Sequence, residues 1–147
     1  MTATTGLTGM ICFDLYSASR AVTAVYRRLL EPLGLTYPQY LVMVSLWDRD
    51  GRTVRELIDA LDLDYGTVSP LLKRLQGGGL LERTRRPDDE RTVLVTLTGA
   101  GRALRERAAG VPDAIRAALG LDEEETAALH DVLQRVGASA ARASSTC

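Results

Sequence analysis

Cysteine and histidine are almost absent from this 147-residue chain, which carries only Cys12, Cys147 and His130. A disulfide-stapled scaffold or a Cys/His metal centre needs more ligands than these three residues supply, so no metal site and no cofactor is expected. Long apolar runs are missing too. None approaches the roughly 20 residues that cross a bilayer, and the opening MTATTGLTGM has neither the basic region nor the apolar stretch of a secretory leader. The expectation is a cytoplasmic protein with no membrane partner. Charge of one sign is also lacking. A net charge of -1 excludes a polycationic coater of nucleic acid and leaves room for a specific binder, which needs positive charge only where the duplex sits. Hydrophobic residues make up 46% of the chain, enough at this length for one domain, or one domain with an oligomerisation element.

What is present is concentrated between Thr53 and Leu97. TVREL begins a short helix, with Thr53 as its cap and Glu56 three residues on to close a capping box. After a polar break at Asp62–Tyr65, YGTVSPLLKRLQ resumes helical spacing with Val68, Leu71, Leu72 and Leu75 on one face. Gly77, Gly78 and Gly79 stop it. LLERT and TVLVTL then read as two strands, the second with Val93, Val95 and Leu97 on one face, joined by the polar loop RRPDDER. Helix, break, helix, glycine stop and basic hairpin form the series of a winged helix-turn-helix, so double-stranded DNA is the expected partner. The second helix would enter the major groove. The hairpin, with Arg85, Arg86 and Arg91 at its tip, would reach phosphates or the minor groove. The blander reading is an amphipathic helix with a solvated basic edge and a soluble hairpin. The ordered series is more specific than any of its pieces.

Helices flank this region. Ile11, Leu15, Ala18, Val22, Val25 and Leu29 recur at helical spacing between Met10 and Leu33. Thr36 and Gln39 form a second capping box ahead of the apolar YLVMVSLW. Beyond the hairpin, Thr98 caps a helix through GAGRALRERA, and Asp122 with Glu123, Glu124 and Glu125 places negative charge at the start of a last helix. That helix carries the stripe Leu129, Val132, Leu133 and Val136. The stripe packs either on a second copy of the chain or back on the first helix; a homodimer would present two reading helices to two half-sites one DNA turn apart. The expected architecture is therefore mainly α with a small β-wing, a homodimer through the N- and C-terminal helices. Residues 1–35 and 98–147 would form the dimerisation region and 36–97 the reading region. The alanine, serine and arginine tail that ends in Cys147 reads as disordered.

Cys12 falls in the opening turns of the first helix, where the helix terminus favours a thiolate; a lone cysteine is otherwise a small buried hydrophobe. Tyr16, Tyr26, Tyr37 and Tyr40 all lie in the first two helices. A tyrosine hydroxyl in such a core needs a hydrogen-bond partner, and a thiolate is one.

Residues 10 to 110 resemble the MarR-type transcriptional regulators, and within them the organic hydroperoxide resistance repressors. The match rests on CFDLYSASRAVTAVYRRLLEPLGLTYPQYLVMVSLW, LDYGTVSPLLKRL and PDDERTVLVTLTGAGRAL. The resemblance implies that Cys12 senses organic hydroperoxide, that Tyr26 and Tyr37, with Tyr16 as a third, hydrogen-bond its thiol, and that oxidation releases a pseudo-palindromic operator. It implies Thr67 and Ser69 as readers on the second helix, and Asp89 holding the Arg91 guanidinium for groove insertion. Lys73, Arg74 and Arg86 are phosphate candidates by charge. Tyr65 departs from the pattern, standing where relatives commonly have serine. Cys147 either resolves oxidised Cys12, a small thiol being the alternative, or has no role. Two rivals compete with this reading: a repressor relieved by a noncovalent phenolic or lipophilic ligand, and a thiol peroxidase. Against the peroxidase, no second cysteine sits at a convincing resolving position, and a basic wing would have no purpose, so no enzyme is expected.

Overall fold

The structure, a computed structural model, describes residues 6–146. Helix α1 (Ile11–Leu30) ends on the fully buried Leu30, and a 3₁₀ turn with Pro32 leads to Gly34, whose φ of 69° is the left-handed conformation that glycine adopts without strain. Helix α2 (Tyr37–Asp48) begins with the expected reciprocal box. The Gln39 backbone N–H donates to Thr36 Oγ1 at 3.4 Å, and the Thr36 N–H donates to Gln39 Oε1 at 3.0 Å. Tyr40, Val42, Met43 and Leu46 are buried, so α2 is covered on most sides.

A two-residue strand, β1 (Arg52–Thr53), runs directly into α3 (Val54–Leu61). Only half of the expected capping box forms here. Thr53 Oγ1 accepts the Glu56 N–H at 3.1 Å, but the Glu56 carboxylate takes Arg49 at 2.7 Å while Thr53 pairs with Leu94 in the sheet. The chain then turns at Asp62, with φ of 54°, a conformation that a short polar side chain tolerates. Helix α4 (Tyr65–Gly77) starts from Asp64, whose Oδ1 accepts the Thr67 N–H at 2.7 Å, and it buries the predicted face of Val68, Leu71, Leu72 and Leu75. Gly79, at φ 75°, completes the stop.

Strands β2 (Leu81–Arg86) and β3 (Asp89–Leu97) form an antiparallel hairpin, and β1 adds to its other side in the order β1-β3-β2. The hairpin is longer than the sequence suggests. Arg85 pairs with Val93 and Arg86 with Asp89 across a bulge, which leaves only Pro87 and Asp88 as the turn. Backbone pairing continued from the buried Leu81, Val95 and Leu97 carries polar residues into strand despite their composition.

Helix α5 (Gly99–Arg107) follows, capped by Thr98. Gly101 has no room for a side chain: a Cβ there would collide with the Leu80 carbonyl oxygen. Its own carbonyl accepts the Trp47 indole N–H at 2.9 Å, and Arg105 and Arg107 donate to the carbonyls of Trp47 and Pro32. These bonds tie α5 to α2 and to the turn that ends α1.

Helices α6 (Val111–Leu119) and α7 (Glu123–Ser145) complete the chain, which divides into two compact units, Met1–Pro112 and Asp113–Cys147. Asp122 and Glu125 cap α7 reciprocally at 2.8 and 3.0 Å. The tail expected to be disordered is helical to Ser145, in keeping with the strong helix propensity of its alanines and arginine. Cys147 lies outside the described residues. No helix among them is long and apolar enough to cross a membrane.

Candidate nucleic-acid interface

Helix α3, helix α4 and the hairpin enclose a cleft of about 740 Å³. Arg55 of α3 and Arg83, Arg85, Arg86 and Arg91 of the hairpin line it, facing Tyr65 and Ser69 of α4. Such a density of guanidinium groups beside an exposed helix suits the phosphates of a duplex. Two of the arginines also brace the site. Arg83 Nε donates to Gln76 Oε1 at 2.7 Å, linking hairpin to reading helix, and Arg85 Nη1 donates to the Glu90 carbonyl at 2.9 Å across the hairpin.

The sequence led to the expectation that Asp89 holds the Arg91 guanidinium, and in the structure it does not. Its carboxylate accepts the Arg91 backbone N–H at 3.0 Å and the Thr92 hydroxyl at 2.8 Å. An aspartate reaches the backbone two residues on more readily than the end of a long side chain, which loses more rotamer freedom in pairing. The Thr92 hydroxyl first, then the Arg91 N–H, holds this carboxyl below the usual carboxylate range. The Arg91 guanidinium has no carboxylate within ion-pair distance among the described residues and is free to enter a groove.

Of the other expected DNA contacts, Ser69 and Arg86 line the cleft, while Thr67, Lys73 and Arg74 are exposed elsewhere on α4. At 100° per residue Thr67 and Arg74 share one flank of the helix, and Tyr65, Ser69 and Gln76 share the flank toward the hairpin. Arg55 and Arg83 escaped sequence reasoning. Arg83 has a signal in the strand alternation Leu81, Arg83, Arg85; Arg55 has none, being one more charge on the outside of a short helix.

Cys12 is exposed in the first turn of α1, with Tyr16 one turn later on the same face and the Arg20 guanidinium 5.7 Å from the Tyr16 ring. Tyr26 and Tyr37 pack ring against ring at 4.3 Å, and Tyr40 and Trp47 extend the stack at 5.9 and 6.2 Å. Burial, and then the neighbouring tyrosines, raise the Tyr26 hydroxyl above its ordinary pKa, so it remains a donor at neutral pH. Burial does the same for Tyr40. The thiol is not brought to Tyr26 within one chain. Both stand on α1, and the intervening helix at 1.5 Å per residue sets them about 21 Å apart along its axis.

Known proteins share this arrangement. Residues 24–107 match the family model of the transcriptional regulators SarA/Rot. The chain is 43% identical to the organic hydroperoxide resistance transcriptional regulator of Bacillus subtilis (strain 168) over 80% of its own length and 78% of that protein's. Among solved structures, reduced AbfR bound to DNA superposes with a TM-score of 0.75 at 33% identity, covering 88% of this chain and 90% of that one. AbfR, from Staphylococcus epidermidis, has also been solved overoxidized on DNA and in a disulfide form. A cysteine-to-serine mutant of MarR from E. coli, complexed with operator DNA, aligns at a TM-score of 0.80 and 29% identity over 90% of this chain and 99% of that one. A capped reading helix, a braced basic wing and these relatives together make the chain a DNA-binding transcriptional regulator of the MarR type, in the branch that holds the organic hydroperoxide resistance regulators.

Proposed function

We propose that this regulator is a homodimeric repressor that senses organic hydroperoxides through Cys12. The observation that carries the reading is an exposed cysteine in the first turn of a helix, in a chain 43% identical to an organic hydroperoxide resistance regulator. The Cys12 thiolate attacks the terminal oxygen of the hydroperoxide; the S–O bond forms as the O–O bond breaks, the alkoxide leaves and takes a proton from solvent to become the alcohol, and sulfur is oxidised to a sulfenic acid. The sulfenic acid then condenses with a small thiol, or with Cys147, forming a disulfide and releasing water.

The dimer is supported by apolar side chains left uncovered near both ends of the chain, Ile11, Phe13 and Leu15 on α1 and Leu129, Val132, Leu133 and Val136 on α7. Residues 1–35 and 98–147 would supply this contact, and 36–97 would read a pseudo-palindromic operator. The separation of Cys12 from Tyr26 along α1 supports a thiol site completed by tyrosines of the second copy. Oxidation would remove those hydrogen bonds and add bulk at the dimer contact, changing the spacing of the two α4 helices. A shift from nearly all bound to nearly all free needs about 5.5 kcal/mol of differential stabilisation, which a covalent change supplies more readily than one weak contact.

The test is fluorescence anisotropy on the DNA upstream of the gene, before and after tert-butyl hydroperoxide. The parent protein should be released and Cys12→Ser should stay bound. Tight binding unaffected by the oxidant in both would remove the peroxide-sensor reading and leave a repressor relieved by a noncovalent ligand, and steady consumption of peroxide with excess thiol would revive the peroxidase.

A further inference from the structure

Tyr65 is the first residue of α4 and is 65% exposed, with no aromatic or cationic partner for its ring among the described residues. Nothing in the fold requires it there. At 100° per residue, the face of α4 opposite its buried stripe carries Gly66 and Pro70 in the first two turns. Neither has a hydrogen-bonding side chain, and both are small enough to let the helix approach a groove floor closely. The side chains of these turns that can reach a base edge are then Tyr65, Thr67 and Ser69. Thr67 and Ser69 end in short hydroxyls, whereas Tyr65 presents a large apolar ring.

Local charge separates a base contact from a phosphate contact. The Asp64 carboxylate, one residue earlier, is fixed on the Thr67 N–H at 2.7 Å, and hydrogen bonds from Thr67 keep it ionised. A phosphate beside Tyr65 would face that negative charge. The arginines that suit phosphates lie across the cleft, on α3 and the hairpin. The neutral apolar feature of the major groove is the C5-methyl of thymine.

We propose that the Tyr65 ring packs on the C5-methyl group of one thymine in each half-site and so helps determine which operator the protein selects. The inference rests on the reading of α4 as the major-groove helix. Selection from a duplex library with a randomised core would first define the motif that the full-length parent prefers. Each thymine of that motif would then be replaced by deoxyuridine, and binding of parent, Tyr65→Phe and Tyr65→Ser compared at low salt, where all three bind measurably. One thymine per half-site should be sensitive, its replacement weakening the parent and Tyr65→Phe by about fourfold, the value of one methyl-sized contact. Tyr65→Ser should bind both duplexes equally at that position. Equal sensitivity of Tyr65→Ser and the parent at every thymine, or a parent insensitive at all of them, overturns the proposal. A parent that enriches no motif overturns instead the reading of α4 on which it rests.

Discussion

In the winged helix, many polar side chains that leave the core find partners in their own chain, whereas the apolar side chains in the opening turns of α1 are left uncovered. Arg83 meets Gln76, Asp89 meets Thr92, Arg52 meets Asp48 and the Trp47 indole meets Gly101. Ile11, by contrast, is 69% exposed, and Phe13, Leu15 and Tyr16 are uncovered beside it. The difference teaches where each region's stability comes from. The winged helix is closed by its own hydrogen bonds and buried leucines. The start of α1 has the composition of an interior and the exposure of a surface, as a segment that is completed by another copy would have.

Two truncations of similar size set the regions against each other. Leu72, fully buried on the inner face of α4, should cost about 2–5 kcal/mol when replaced by alanine. Ile11→Ala should change unfolding of the isolated chain by less than about 0.5 kcal/mol, yet weaken self-association. Chemical denaturation at low concentration and sedimentation at high concentration measure the two effects; comparable losses of folding stability would erase the contrast. A smaller effect is expected at Thr53, where removal of the hydroxyl that caps α3 should cost about 1 kcal/mol. Because Glu56 is already engaged by Arg49, Glu56→Gln should not reproduce that loss, and a matching loss in both variants would restore the full capping box.

The smallest effect concerns the wing tip. The Asp89 carboxyl titrates below its ordinary value of 3.8 because Thr92 and the Arg91 backbone donate to its ionised form. A depressed value means that the contribution is fully present at neutral pH and is lost only as pH falls below about 4 and through the lowered value. Amide NMR of Arg91 and Thr92 should therefore show the wing tip loosening with a midpoint below 3.8. A midpoint at or above that value would mean that the hairpin does not depend on this carboxylate.

Much of this is legible in the amino-acid sequence. The buried face of α4, the reciprocal cap at Thr36 and Gln39 and the negative charge that starts α7 at Asp122 all depend on residues within one or two helical turns of each other. The candidate site was legible only in part. Ser69, Arg86 and Arg91 could be nominated from position and charge, but Arg55 looks in sequence like any other solvated charge, and only the packing of α3 beside the hairpin brings it to the cleft.

By itself, then, the sequence determined the helix–helix–hairpin series from Thr53 to Leu97, the face that α4 buries and the caps at Thr36 and Thr98, because periodicity and capping are local; β1 and α6 emerged only in the fold, and the stripe read on α1 stays unburied. The tertiary structure alone decided which of several competing partners each long polar side chain takes. Glu56 leaves its cap for Arg49, and Asp89 prefers a backbone N–H to a guanidinium. Pairing with β3 carries β2 out to Arg86, and one straight helix holds Cys12 far from Tyr26. Those outcomes depend on distances between residues that the chain brings near, or keeps apart, only after it has folded.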